Sequence, residues 1–451
     1  MTPMSKTRRI SCLAAAASAT ALAVTACGAP DESEQESFNI RGEIPAAAED
    51  CAQYDSYGDF EDETVTIFAS ILDQEADEMQ AGWHYFEECT GINIEYEGTA
   101  QFEADMKVRV DGGTAPDIAL FPQPGLMSNF KDDLVPASDE LSALATEGWS
   151  EDWLAYGTID GQLYAAPNSA NAKSFIWYSP QFFADNGYTV PTTWDELIAL
   201  SDTIAAAGTT PWCAGFESGG ATGWPGTDWI EDIVLREGTD VYDQWVNHEI
   251  PFNDPQIVSA IDKAGTVLQN PDYVFNGPDT ISSTAFQTAG HPILDNECAF
   301  YRMASFYGAM WPEDTVVAED GDVFAFRFPE TNAGDNTMLV GGEFVAAFSD
   351  SEATEATRQY LASELYHSTR LQTGPWSTAQ QGVDASVATT PVNVFATEIL
   401  TDPAVTVRFD GSDLMPGEVG ASSFWTGIVE WADGAKTSQQ MADDIEASWP
   451  Q

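Results

Sequence analysis

Basic residues are the scarcest charged groups in this chain. Its 451 residues hold 16 lysines and arginines against 73 aspartates and glutamates, for a formal charge of −57. A surface of that sign repels nucleic acid and anionic headgroups, and it disfavours a phosphorylated ligand. It reads as a solvated acidic coat, with attraction of a cationic ligand as the alternative. Histidine is rarer still, at 4 residues, and none of the 6 cysteines forms a closely spaced pair. No metal or other cofactor is therefore expected. The chain also lacks a GxSxG elbow and an HExxH helix. With so many acids, some pair will lie at a glycosidase's spacing by chance, and none is marked as a tuned acid and nucleophile.

Long apolar runs are missing after the first 26 residues, so no membrane span is expected. The start itself reads as an address. "MTPMSKTRRISCLAAAASATALAVTAC" has a basic opening, an Ala-rich apolar stretch and small residues before Cys27. Residues 1–26 are read as a lipoprotein signal peptide because "VTAC" resembles a lipobox, with Cys27 as the lipidated residue. An ordinary signal cut near Ala26 is the alternative. Residues 27–51, including "GAPDESEQESFN", have the composition of a tether. The expected location is the outer face of a bacterial cytoplasmic membrane. In that oxidising setting Cys51, Cys89, Cys213 and Cys298 suggest two disulfides, with three connectivities open. Cys51–Cys89 with Cys213–Cys298 is favoured because each pair then stays within one lobe or at its edge.

What is present is enough apolar material for more than one core. The chain is 43% hydrophobic and 12% aromatic, and its length implies two compact units. "TVTIFASI" reads as a buried strand, "LDQEAD" as a polar loop and "EMQAGWHYFEECTG" as a helix ending at Gly91. "INIEYEG", "QFEADMKVRVDGG" and "PDIALF" continue as strand, helix and strand. A βαβαβ run implies a parallel sheet, with ligands beyond its carboxyl ends. Those ends are Ser70, Gly98–Thr99 and Phe121–Pro122–Gln123. A second unit opens with the strand "SFIWYS" and the helix "VPTTWDELIALSDTIAAAG", where Thr193 and Glu196 have capping-box spacing. The strands "VFAFRFP" and "NTMLVGGEFVAAF" and the helix "TEATRQYLASELYH" follow. "GWPGTDWIEDIVL" sets Trp224 and Trp229 around a loop and helix cap, where two indoles are hard to bury.

The order of these motifs resembles the sugar-binding subunits of ABC importers, the maltose-binding-protein superfamily. The resemblance runs from about Thr64 to Ser448. It rests most on "DGQLYAAPNSANAKSFIWYSPQFFADNGYTVPTTWDEL" and "RFDGSDLMPGEVGASSFWTGIVEWADG", the latter similar to the alpha-glucoside branch. It implies an α/β, two-lobed periplasmic-binding-protein-like fold with hinge crossovers and a ligand cleft between lobes. Crossovers are expected near Pro167–Lys173, Phe328–Asp335 and Gly374–Thr390. The N-terminal lobe would combine 52–166 with 334–374, and the C-terminal lobe 167–333 with 375–451.

Sugars offer C–H faces that pack on aromatic planes and hydroxyl rims that need donors and acceptors. The resemblance makes Trp224, Trp229 and Trp425 stacking platforms, with core packing beside Ile230 and Ile233 as the alternative for Trp229. Phe306 matches an aromatic position, with Trp311 close by. Ser70, Phe121 and Gln123 come from strand ends, and Asn171 lies where the family's maltose binder carries a carboxylate. Gly341 and Gly342 would let backbone approach the ligand, and Glu343 and Asp413 would accept from hydroxyls, unless Arg408 pairs with Asp413. The expected function is non-catalytic. The chain would act as a monomer, capture a small neutral carbohydrate and deliver it to an importer's permease. A polyamine-binding subunit, or a secreted glycoside hydrolase, is the alternative.

Overall fold

The computed structural model describes residues 51–61, 63–331 and 335–450. The signal segment, Cys27 and nearly all of the tether lie outside the described residues.

A five-stranded sheet forms first. Thr64–Ala69 pairs in parallel with Asn93–Gly98 on one side and with Ile118–Phe121 on the other. The three are alternately or wholly buried, as strands covered by crossover helices must be. Phe344–Ala347 then joins antiparallel to Ile118–Phe121, and Ala165–Pro167 closes the sheet. Helices on this sheet bury Met79, Trp83, Phe86, Tyr360 and Leu361 against Val65, Ile67 and Leu120. The segment expected as a polar loop begins a helix instead, Asp73–Ala81, with Asp73 and Glu75 in its first turn. Acids there favour the helix by meeting its positive end. Gly82 interrupts the expected long helix, which resumes as His84–Thr90 and stops at Gly91 with φ 76°. Ser363 likewise divides "TEATRQYLASELYH" into Glu352–Ala362 and Glu364–Thr373, its hydroxyl capping the second piece.

The second sheet orders its strands Phe324–Arg327, Phe175–Tyr178, Cys298–Arg302 and Thr210–Cys213. Helix Trp194–Ala207 covers it; Thr193 accepts from the Glu196 N–H, while the Glu196 carboxylate accepts from Thr192 rather than from Thr193. Both favoured disulfides are present. Cys51–Cys89 ties the first described residues to helix His84–Thr90, and Cys213–Cys298 joins neighbouring strands. A small third sheet, Thr406–Phe409, Thr337–Gly341 and Asn171–Ala172, lies on the passages between the other two. The chain leaves the first sheet at Pro167, enters the second at Phe175, and returns from Arg327 to Phe344. Among the described residues, no helix is long and apolar enough to cross a membrane.

Candidate functional site

A cavity of about 670 Å³ lies between the first and second sheets. The strand ends deliver the first wall. Ser70 follows Thr64–Ala69, and Pro122–Gln123 follows Ile118–Phe121, so the carboxyl ends of the parallel strands do open on the cavity. The Gln123 amide N–H donates to Glu103 at 2.9 Å, which leaves its carbonyl without a partner among the described residues. Asn171, from the third sheet, is also buried, and its side-chain carbonyl has no partner among the described residues.

The second wall is aromatic. Helix Trp224–Glu237 begins at Trp224 with Pro225 next, where a missing N–H is harmless. Trp224 packs against Phe286 at 5.1 Å and Phe306 at 6.0 Å between ring centroids, and its indole N–H donates to Ser218 at 3.1 Å. Trp425 follows a π-helical turn, Val419–Phe424, and opens helix Trp425–Ala432. Such turns are rare and re-aim side chains at functional sites. The Trp425 ring is 3% exposed, and its N–H has no partner among the described residues. Gly223 makes this approach possible: it has φ 120°, and a Cβ there would sit 2.3 Å from the Trp425 carbonyl oxygen.

The cavity brings together Ser70, Gln123, Asn171, Trp224, Phe306, Gly341, Gly342, Glu343, Asp413 and Trp425. It does not include two of the expected residues. Phe121 is fully buried, edge-on to Phe102 at 5.4 Å, because it belongs to the strand and not to the loop after it. Trp229 packs on Trp212 at 5.0 Å and on Phe328 at 5.8 Å, inside the second core. Five residues turn a helix by about 140° beyond a full revolution, so Trp224 and Trp229 point to different sides. The two glycines are also closely packed from the protein side. Lys173 occupies the place of a Gly341 Cβ, and the Ser169 backbone that of a Gly342 Cβ. Trp311, named beside Phe306, lines the cavity too, and so do Glu75, Glu103 and Phe286, which no motif marks.

Behind the cleft lies a buried charge network. The Lys173 ammonium pairs with Asp410, with Asp228 at 3.1 Å and with Asp413 at 3.9 Å, and it sits 5.1 Å from the centre of the Trp224 ring. Arg302 holds Asp228 at 2.9 Å and also binds Asp232, which accepts from Arg236 too. Glu231 accepts from the N–H groups of Gly411 and Ser412, fixing the turn that carries Asp413. Arg408 pairs with Asp243 at 2.6 Å, not with Asp413. The carboxylate group Asp228, Glu231 and Asp410 has metal-ligand spacing, but Lys173 already supplies its positive charge.

Burial dominates the titration of these acids. It lifts Asp228 to about 6 against the pull of Lys173 and Arg302. Asp410 falls to about 2, since Lys173 overcomes the same burial. On the cleft wall, burial and the neighbouring Glu343 push Glu75 up to about 8, and burial raises Glu343, Glu103 and Asp413 as well. No arginine lines the cavity, and its lysine is committed to three carboxylates. The arrangement can pack rings against an apolar face and exchange hydrogen bonds with uncharged groups.

The family model of the bacterial extracellular solute-binding protein matches residues 65–363. The chain belongs to the bacterial extracellular solute-binding proteins. This solute-binding protein is 39% identical to the osmoprotective compounds-binding protein GgtB of Synechocystis sp. over 402 residues, 87% of this chain and 94% of that one. It is 35% identical to the alpha-glucosides-binding periplasmic protein AglE of Rhizobium meliloti, over 87% of this chain and 88% of that one. Among solved structures, the bacterial solute receptor AcbH covers 85% of this chain at a TM-score of 0.73 and 16% identity. Maltose-bound T. maritima MalE3 covers the same share at 0.66 and 17%. These likenesses give the two-lobed α/β fold. The family binds solutes and does not turn them over, so this is a binding protein and not an enzyme.

Proposed function

We propose that this protein captures a neutral sugar, an alpha-glucoside or small oligosaccharide, and hands it to the membrane permease of an ABC importer. One observation carries the reading. Gln123, Asn171 and Trp425 line a cavity walled by Trp224, Phe286 and Phe306, and each keeps a buried polar atom that no described group satisfies. Buried polar atoms without partners are rare unless a ligand or water completes them. Amides and an indole N–H pair with ring hydroxyls, and aromatic faces cover the C–H faces of pyranoses. Relatives named for alpha-glucosides and for osmoprotective compounds support a small solute. The acids speak for the sugar over a polyamine: burial favours the uncharged form of Glu75, Glu343 and Asp413, whereas ammonium groups need carboxylates that stay ionised.

In this reading 52–166 with 334–374 form one lobe and 167–333 with 375–451 the other. Closure around the sugar selects the form that docks on the permease. Ser70, Gly341, Gly342, Glu343 and Asp413 contribute polar contacts, and Trp224, Phe306 and Trp425 the platforms. The protein acts as a monomer held outside the cell through lipidated Cys27. A thermal-shift panel of alpha-linked di- and trisaccharides, polyamines and betaine tests the ligand class. A sugar should raise the melting temperature with little dependence on salt. Stabilisation by a polyamine alone, fading as salt rises, would overturn the proposal.

A further inference from the structure

The rim of the cleft is bridged beside Trp224. The 3₁₀ turn Gly219–Ala221, which precedes Trp224, meets the loop after strand Asn93–Gly98, and the Gly220 N–H donates to the Ala100 carbonyl at 3.1 Å. Both sides of this contact are braced. Glu217 accepts from the Gly219 N–H at 2.9 Å, and Thr222 bonds both the Ser218 N–H and the Gly219 carbonyl. Across the gap, the Thr99 hydroxyl accepts from the Gln101 N–H and donates to Asp105. The seam is a close approach of the Gly219–Gly220 backbone to Ala100 and Gln101. A Cβ on Gly219, at φ 57°, would stand 3.0 Å from the Ala100 oxygen, and one on Gly220 would stand 2.9 Å from the Gln101 amide oxygen. Ser218, Gly219, Ala221 and Ala100 all line the cavity, and Ser218 holds the indole N–H of Trp224.

We infer that the Gly219–Ala221 turn is a strap that closes the cleft rim onto Ala100, encloses the ligand against Trp224, and thereby limits the site to short glycosides and slows their release. The inference rests on the sugar reading for its ligand, while the strap itself does not. A solute reaching past the rim would have to break the Gly220–Ala100 bond and separate two braced turns. A solute lying wholly behind it leaves only when the bond opens.

The test compares the wild-type protein with Gly220→Val, an exposed position whose ordinary backbone accepts a β-branched residue. Small-angle scattering without ligand comes first. The variant should show a larger radius of gyration, and equal radii overturn the strap whatever the sugars do. Unchanged circular dichroism confirms that the variant is folded. Stopped-flow tryptophan fluorescence with maltose, maltotriose and maltopentaose comes second. Wild type should prefer the shorter sugars. The variant should release maltose about two- to tenfold faster, the range set by the net worth of one hydrogen bond, and its preference for short chains should shrink. Identical release rates and length preference overturn the inference. A chain that binds none of the three while the radii differ removes the alpha-glucoside reading and keeps the strap.

Discussion

The two walls of the cleft are made of different chemistry. The first sheet's strand ends and adjoining helices present hydroxyl, amide and acid groups through Ser70, Gln123, Glu75 and Glu103, while the second wall presents Trp224, Phe286, Phe306 and Trp311. Neither half alone answers a sugar, which needs its faces covered and its rim hydrogen-bonded together. On the proposed reading affinity needs both walls at once, and each wall should fail in its own way when altered.

The sharpest contrast lies within one helix. Trp229→Ala empties a core position and should lower stability by about 3–5 kcal/mol in denaturant titrations, leaving the affinity of the folded protein unchanged. Trp224→Ala should do the reverse, weakening sugar binding with a small stability loss. A Trp229 variant that is stable but binds poorly would break the assignment of the two rings. Next in size is Trp425→Ala. Loss of a central aromatic anchor should cost about 2 kcal/mol of affinity by calorimetry, and Trp425→Phe should recover the stacking share but not the indole hydrogen bond. Full binding by the alanine variant would place the sugar elsewhere.

A second contrast sets the interior of the first unit against its cleft face. His367 is fully buried between Trp149 and Trp376, donates from Nε2 to the Leu361 carbonyl and accepts from Thr378. Burial lowers its pKa from 6.5 to about 3. The unfolded chain therefore takes up a proton that the folded one refuses. The stability His367 contributes is complete above pH 6.5 and drains away down to about pH 3, by at most ~1.4 kcal/mol per pH unit. His367→Gln, if folded, should flatten that acid limb in melts from pH 6.5 to 4. An unchanged limb would assign it to the carboxylates.

How much of this was legible in the sequence depended on distance along the chain. The βαβαβ run and its carboxyl ends at Ser70 and Gln123 follow from period and turn residues; the cysteine count implies two disulfides but leaves three connectivities open, and the favoured pairing needed the division into lobes. The separation of Trp224 from Trp229 needed the first residue of one helix, and helix starts are poorly marked where Pro and Gly crowd them. Glu75 was hidden because an acidic stretch reads as a loop, although acids also favour a helix's first turn. The charge network was out of reach: Lys173 and Asp410 are 237 residues apart, and no local pattern joins them. Phe286 carries no motif at all, only a place beside Trp224.

Glu75 gives the finest test of the difference between walls, because it titrates in the opposite sense to His367. Its folded pKa of about 8 lies above the ordinary 4.5, chiefly through burial and then through Glu343. Stability from the protonated acid is complete below pH 4.5 and is lost as pH rises through 8. If the cleft holds Glu75 as an uncharged acid, Glu75→Gln keeps a similar shape and charge, so sugar affinity at pH 7 should change by less than about 0.5 kcal/mol. Between about pH 5 and 8 the same variant should lose less stability with rising pH than wild type. A large affinity loss at pH 7 would mean that Glu75 works as an ionised acceptor for the ligand. The uncharged first wall thus rests on the glutamine variant binding as well as the native protein.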